Sequence, residues 1–172
     1  MSRTFSKDTP QNVNQSVTVS GWVNSTRDHG GLIFIDLRDH TGIVQLTIHP
    51  EQAEVFKLAE TLRDEFVITA TGKVVEREKD LVNKNIPTGE IEIVVEDLNV
   101  LNQSKPLPFP IQHVKEEINE DLRLRYRFLD LRRDKMQKML LDRHKFLKAI
   151  RDYMDTQGFV EITTPILTSS SP

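Results

Sequence analysis

Alternating apolar and polar residues between Leu32 and Ile48 predict a β-hairpin around the turn-forming Asp39-His40-Thr41-Gly42. The aliphatic positions of its two strands are Ile33, Ile35, Leu37, Val44, Leu46 and Ile48. Because successive strand side chains point to opposite faces, burial of this set turns Phe34 and Gln45 toward the other face. A ring beside an amide suits an unpaired base, which the ring can stack on and the amide can hydrogen-bond. Alternatively, Phe34 only covers the core under a loop. Exposed apolar residues are ordinary on protein surfaces, so exposure of the ring alone does not indicate binding.

Further strands and one helix accompany this hairpin. Val17, Val19 and Val23 mark a strand that leads into the hairpin through a polar loop at 24–31. After Pro50, apolar residues recur at three- and four-residue steps as far as Phe66, which predicts an amphipathic helix. Two more strands are predicted at 67–75 and 90–95, joined by the charged loop 76–89. Three strands, a helix and two strands are the order of an OB-fold. Residues 1–104 are therefore predicted to form a mainly β domain, a five-stranded OB-fold barrel with one helix.

OB-fold barrels bind oligonucleotides across strands two and three and through the loops after strands one and four. Phe34 and Gln45 lie on that predicted face, and Asn83 lies in the second of those loops. The barrel is acidic, with 10 Lys and Arg against 16 Asp and Glu in residues 1–104, in a chain of net charge −3. Binding of nucleic acid would therefore rest on stacking and base-edge contacts, with a few cations such as Arg27 and Lys84. Its salt dependence should be modest.

Three prolines within residues 105–110 predict a stiff, extended linker that ends the first domain. Linker and hinge together occupy residues 105–134. Leu122, Tyr126 and Leu129 fall there on one helical face. The segment also carries five arginines, which either form a solvated face or contact a phosphate backbone: Arg123, Arg125, Arg127, Arg132 and Arg133.

Residues 135–172 begin with a predicted amphipathic helix that Gly158 ends. Its apolar stripe comprises Met136, Leu140, Phe146 or Leu147, Ile150 and Met154. A strand is predicted from Phe159, continuing through Pro165, which suits an edge or a bend. Because one helix and one strand do not bury each other's apolar faces, we expect the sequence to be cut from a longer protein. We expect this segment to be mobile or to self-associate on its own.

The chain has no cysteine, which excludes disulfides and thiolate metal sites, and no metal site is predicted. No apolar run approaches the ~20 residues needed to span a bilayer, and the charged start lacks a signal-peptide core. We therefore expect a cytoplasmic protein without a membrane partner.

Three stretches resemble the bacterial-type aspartyl-tRNA synthetases, which are class II aminoacyl-tRNA ligases. Residues 21–39 are similar to the anticodon-binding barrel of that family, residues 125–133 to its hinge signature, and residues 158–167 to class II motif 1. The resemblance implies an OB-fold barrel, then a hinge, then an incomplete α/β start of a class II synthetase catalytic domain at 135–172. Motif 1 builds the family's dimer interface, so it also implies a homodimer, with Gly158, Phe159 and Pro165 at that interface.

The resemblance also implies a set of anticodon contacts. Phe34 matches the ring that stacks on the middle anticodon base, and Gln45 and Arg27 match groups that contact the anticodon pyrimidines. Glu92 matches an acidic residue facing the first base, where a carboxylate suits the N1–H and N2–H₂ donors of guanine. Glu90 is its rival for that role. Asn83 matches a loop contact.

The function implied for the parent protein is that of an aspartate–tRNA ligase, which attaches aspartate to its tRNA with ATP and Mg²⁺. Motifs 2 and 3 do not occur in this sequence, so we expect the chain to hold no catalytic residue, to bind no cofactor and to be inactive alone. Its own partner would be the anticodon loop of the aspartate tRNA. Two alternatives stay open. His29 resembles members that also charge the asparagine tRNA, and a free-standing OB-fold RNA-binding protein would retain the barrel but have no use for motif 1.

Overall fold

The computed structural model describes residues 2–112 and 117–167, and the chain divides into two compact units, Met1–Leu107 and Pro108–Pro172. The first unit is a closed barrel of five strands in the order β1-β2-β3-β5-β4. Neighbouring strands are antiparallel except β3 and β5, which run parallel. The strands are β1 Ser16–His29, β2 Leu32–Asp39, β3 Gly42–Ile48, β4 Val67–Glu76 and β5 Ile91–Asn102, with one α-helix, α1 Ala53–Glu60, after β3. The predicted five-stranded OB-fold barrel is confirmed.

The alternation in β2 determines which side chains fill the barrel. Ile33, Ile35 and Leu37 are buried, whereas Phe34 and Asp36 between them are half-buried on the outer face. Leu46 of β3 and Ile93 of β5 are fully buried in the same core. The period-two pattern therefore correctly identified which face of the hairpin is buried.

Residues 24–31, predicted as a polar loop, are mostly strand. β1 continues to His29 and pairs with β2, and the chain turns only at Gly30 and Gly31, whose φ angles are +63° and +79°. Strand pairing uses backbone donors and acceptors and does not require apolar side chains. The exposed polar residues at the end of β1 therefore lack the alternating pattern by which the sequence predicts a strand. Arg27 therefore lies in the barrel wall, directly opposite Phe34.

Helix α1 is shorter than its apolar spacing suggests. It ends at Glu60, yet Leu62 and Phe66 beyond it remain buried. Glu65 adopts a φ of +65°, so the backbone turns sharply between the helix and β4. Leu62 and Phe66 reach the core from this turn. Their sequence spacing matches that of a helical face, which is why the predicted helix was too long.

The second unit contains three helices in its described residues: α2 Glu120–Arg125, α3 Arg127–Asp130 and α4 Asp134–Thr156. The continuous helical face predicted through Leu122 and Leu129 is interrupted at Tyr126, whose φ and ψ are −112° and 46°. Helix α4 ends at Thr156, and the predicted Gly158 follows its C-cap residue with φ +79°. There the amide of Phe159 donates to the carbonyl of Met154 at 3.1 Å, and that of Gly158 donates to Asp155 at 3.0 Å, which is a Schellman motif.

The strand predicted from Phe159 is wrong. Residues 159–165 form no strand, and Phe159, Val160 and Ile162 are exposed. A strand is stabilised by a hydrogen-bonded neighbour, and no described residue provides one here. Much of the apolar stripe of α4 is exposed as well, including Phe146 and Ile150. Across the described ranges, no helix has the length and apolar character that crossing a membrane requires.

Candidate nucleic-acid interface

A chain of polar side chains crosses the outer face of the barrel from β1 to β5, and we call it the polar ladder. Its members are Ser25, Arg27, Asp36, Gln45, Thr47 and Glu92. Arg27 Nη2 donates to Asp36 Oδ1 at 2.9 Å and lies 3.4 Å from Gln45 Oε1. Gln45 Nε2 donates to Glu92 Oε2 at 3.1 Å, and Thr47 Oγ1 donates to the same oxygen at 2.9 Å. Alternating cationic, acidic and amide groups are thus linked across four strands.

Strand register brings these residues together. Ser25 lies opposite Asp36 across β1 and β2, and Asp36 lies opposite Gln45 across β2 and β3. A register shift between Val23 and Ser25 marks an irregularity in β1 just before Arg27. Directly opposed residues on one face have Cβ atoms about 4.5–5.5 Å apart, so short polar side chains can join without long reaches.

Phe34 lies within this face. It stands opposite Arg27 on one side and Thr47 on the other. It is half-buried, and it belongs neither to the core cluster nor to the apolar side chains packed against that cluster. This location agrees with a ring available for stacking and disagrees with a core-covering role.

Gln45 lies on the predicted face but is less available than expected. Its oxygen faces Arg27, its nitrogen donates to Glu92, and the side chain is nearly buried. A base that hydrogen-bonds this amide would have to replace one of those two contacts. The ladder therefore holds the amide in one orientation before any ligand arrives.

The structure separates the two glutamates proposed for the first anticodon base. Glu92 lies in β5 and accepts hydrogen bonds from Gln45 and Thr47. Glu90 precedes β5 and is exposed. The geometry therefore favours Glu92 as the carboxylate of this face.

Arg77 was not predicted from the sequence, where it lies in a charged run assigned to a loop. Its side chain is only 4% exposed, and its Nε is 3.8 Å from Glu92 Oε2. Nε and Nη2 are buried without a hydrogen-bond partner. Burial lowers the pKa of this guanidinium, while the nearby carboxylates of Glu92 and Asp36 oppose that shift. Two unused donors thus lie beside the ladder, and only the pairing of β4 with β5 could have revealed them.

Asn83 does not join the ladder through any contact in the described residues. Its Oδ1 accepts from the amide of Asn85 at 3.0 Å within the β4–β5 loop. Thr88 ties this loop to β3 by donating to the carbonyl of Ile43. The side-chain nitrogen of Asn83, Nδ2, is the atom of this residue that can donate to a ligand from the loop.

The arginine-rich segment of the second unit is partly a solvated face, since Arg125, Arg127 and Arg132 are exposed, and partly an internal cluster. Three of its five arginines converge on Asp130, which is 0% exposed. Arg123 Nε, Arg127 Nη1 and Arg133 Nη1 lie 3.1, 2.6 and 3.0 Å from its carboxylate oxygens. Burial alone would raise the pKa of Asp130, but hydrogen bonds from Arg123 and Arg133 outweigh it and lower the pKa. The sequence analysis did not anticipate that Arg123, Arg127 and Arg133 share one buried carboxylate.

The other two arginines also have local contacts. The Arg125 guanidinium lies 5.8 Å from the centroid of the Tyr126 ring, and Arg132 also has an interaction partner. Gly158, Phe159 and Pro165, the residues implied at a dimer interface, lie after α4, where their side chains or backbone are exposed. Across the described ranges, no three His, Asp or Glu side chains converge as a metal ion would need.

Two family models match the chain. The OB-fold nucleic acid binding domain matches residues 17–101, and the class II tRNA synthetases (D, K and N) match residues 119–172. The first match covers the whole polar ladder, and the second covers the Asp130 cluster and α4.

Curated relatives agree with both matches. The aspartate–tRNA(Asp/Asn) ligase of Prochlorococcus marinus subsp. pastoris is 56% identical over 163 residues, which are 93% of this chain and 27% of the relative. The enzyme of the same name from Magnetococcus marinus is 53% identical over 161 residues, 93% of this chain and 26% of the relative. The chain therefore spans about a quarter of the length of these relatives.

Solved structures show the same fold. Asparaginyl-tRNA synthetase from Pyrococcus horikoshii, complexed with asparaginyl-adenylate, is 27% identical with a TM-score of 0.81, and the match covers 96% of this chain and 37% of that one. Aspartyl tRNA synthetase from Entamoeba histolytica is 23% identical with a TM-score of 0.80, covering 92% and 38%. At that identity the second likeness concerns the fold alone.

Proposed function

Since the chain belongs to the class II tRNA synthetases, we propose that its barrel binds the anticodon loop of the aspartate tRNA on behalf of an aspartate–tRNA ligase. The observation that carries this assignment is the polar ladder beside the half-buried ring of Phe34 on the outer face of strands β2 and β3. A ring can stack on one base while the flanking amide and charged groups meet base edges. The match at 119–172 favours a ligase over a free-standing RNA-binding module.

We assign each residue the role that the resemblance implies, and the chemistry of each group is compatible with that role. Phe34 stacks on the middle base, and Arg27 and Gln45 hydrogen-bond the pyrimidines. Glu92 accepts from the N1–H and N2–H₂ groups of a guanine at the first position, where its negative charge strengthens both bonds. The Nδ2 group of Asn83 donates to the loop of the RNA.

The ligase reaction is assigned to the parent protein, which would use ATP and Mg²⁺. We further propose that residues 135–172 begin the catalytic domain and that Gly158, Phe159 and Pro165 contribute to a homodimer interface in the parent.

Replacing Phe34 with alanine tests the assignment. Stacking on one ring is worth ~1–3 kcal/mol, so Phe34→Ala should weaken binding of the anticodon stem-loop to the whole chain by roughly 5- to 150-fold. The denaturation midpoint should change little. Phe66→Ala is the matched control: that ring is in the core, so its loss should cost about 3–5 kcal/mol of unfolding free energy. If Phe34→Ala unfolds the barrel and leaves the affinity of the folded fraction unchanged, the ring belongs to the core.

A second candidate function is that of a ligase relaxed toward both aspartate and asparagine tRNAs. The names of the relatives from Prochlorococcus and Magnetococcus, with their Asp/Asn suffix, favour it, and His29 is exposed at the end of β1. The two anticodons share their first two bases and differ in the third, C or U. A relaxed barrel should bind both stem-loops with nearly equal affinity. For a discriminating barrel, the binding free energies of the two stem-loops should differ by ~1–3 kcal/mol, which is roughly 5- to 150-fold in affinity.

A further inference from the structure

Asp36 is an acidic residue in the middle of the polar ladder, on the barrel surface that contacts RNA in the proposed function. It lies between Ser25 on β1 and Gln45 on β3, and its carboxylate is 20% exposed. Oδ2 accepts from Ser25 Oγ at 2.8 Å, and Oδ1 accepts from Arg27 Nη2 at 2.9 Å. A carboxylate here repels a phosphate backbone, so its presence calls for a compensating role.

Arg27 shows what that role is. Its side chain is 53% exposed, and both of its hydrogen bonds run through Nη2, to Asp36 and to Gln45. Nη1 and Nε are therefore left to donate to an acceptor on a ligand. A free arginine of this length would lose considerable rotamer freedom on binding, whereas one already held loses less.

The geometry points to Asp36 as a positioning residue, with Ser25 as its own support, that holds the Arg27 guanidinium in place to hydrogen-bond the RNA. This role rests on the proposed function. Asp36 touches no base itself and acts through Arg27. Ser25 fixes the second carboxylate oxygen, so the Ser25–Asp36–Arg27 relay is set before binding.

Charge and positioning predict opposite signs for one substitution. If Asp36 acted only as a charge, Asp36→Asn would remove repulsion and tighten binding of the anticodon stem-loop. If Asp36 positions Arg27, the same change should weaken binding about fivefold, because a partly exposed ion pair is worth up to ~1 kcal/mol. Asp28→Asn is the matched control, since it removes one exposed negative charge next to Arg27 in β1. It should leave affinity unchanged or slightly higher.

Ser25→Ala provides a test without any change of charge. It removes the hydrogen bond to Asp36 Oδ2 and should weaken binding about twofold, in the same direction as Asp36→Asn. Arg27→Ala completes a double-mutant cycle with Asp36→Asn. In the Arg27→Ala background, Asp36→Asn should cause no further loss.

All affinities are measured by titration of the whole chain with a labelled anticodon stem-loop at fixed salt, with a denaturation midpoint for each variant. Tighter binding by folded Asp36→Asn overturns the positioning role. So does a loss that persists at full size without Arg27, or Ser25→Ala binding as wild type. If the wild-type chain does not bind the stem-loop, the proposed function itself fails and the positioning role fails with it.

Discussion

Two of the arginine–carboxylate clusters in the described residues have sharply different environments. On the barrel, Arg27 is 53% exposed and its partner Asp36 is 20% exposed, within a ladder that also contains amide and hydroxyl groups. In the second unit, Arg123, Arg127 and Arg133 surround an Asp130 that is 0% exposed. The first cluster leaves donors facing outward. The second directs its donors at one buried acceptor.

Arginine density alone is therefore not evidence for an RNA-binding surface. Three arginines of the run at 123–133 engage a carboxylate of their own segment, and these contacts link α2, α3 and the start of α4. The acidic barrel, with few cations, presents the more open donors. What distinguishes the two is how far each acceptor is buried, since a buried charge must be matched by its own chain.

Replacing Asp130 should have the largest effect of the changes that test this contrast. Asp130→Ala leaves three arginines close together without their common acceptor, which should destabilise the second unit by about 3 kcal/mol. Amide hydrogen exchange in α2 and α3, corrected for intrinsic rates, should accelerate roughly 100-fold. Amides of the barrel core, such as Ile35, provide the internal control and should not change.

The same carboxylate gives the second unit an acid sensitivity with a definite sign. The pKa of Asp130 is lowered in the folded protein, so its contribution is fully present above the unfolded value of about 3.9 and is lost as pH falls through the folded pKa. For the Asp130→Ala variant, stem-loop affinity should stay unchanged. If the affinity falls by as large a factor as hydrogen exchange in α2 accelerates, the Asp130 cluster and the polar ladder are not functionally distinct.

Glu92→Gln should have the next largest effect, and on the barrel alone. Loss of the charged acceptor should weaken a stem-loop with guanine at the first anticodon position by ~1–3 kcal/mol, roughly 5- to 150-fold. The near-isosteric amide keeps an acceptor for Thr47, so stability should fall much less. Glu90→Gln is the matched control and should bind as wild type. Equal losses in both variants would show that the acidic charge acts generally rather than through one base edge.

Sequence patterns predicted the barrel because burial in a closed sheet has a period of two. The positions of Ile33, Ile35 and Leu37 were sufficient to locate the core face and to place Phe34 opposite it. The same signal missed the end of β1, because the residues from Thr26 to His29 are exposed and only backbone pairing makes them a strand. It also suggested a strand at Phe159, although a strand depends on a partner that local pattern does not contain.

The sequence identified single candidate residues of the site, Gln45 and Arg27 among them, but not the contacts that join them. Phe34 could be found from alternation, and Glu92 could be matched by resemblance. Arg77 and Asp36 depend on register: Arg77 reaches Glu92 through the pairing of β4 with β5, and Asp36 meets Arg27 across β1 and β2. Likewise, the burial of Asp130 depends on three-dimensional packing. The surrounding sequence is densely charged and does not indicate which carboxylate is buried.

The smallest expected difference is in salt dependence, where single arginines from the two clusters can be compared directly. Each cation that neutralises a phosphate of single-stranded RNA contributes about −0.7 to the slope of log affinity against log salt. In the proposed function Arg27 contacts base edges, and its charge acts on the nearby phosphates only at longer range, so Arg27→Ala should reduce the magnitude of the stem-loop slope by less than about 0.7. Arg127→Ala removes an arginine that is 44% exposed but engaged with Asp130, and it should leave the slope unchanged. Titrations at several salt concentrations measure both. Equal reductions would mean that Arg127 reaches the RNA despite its buried acceptor, and that burial of the acceptor does not separate structural arginines from binding ones.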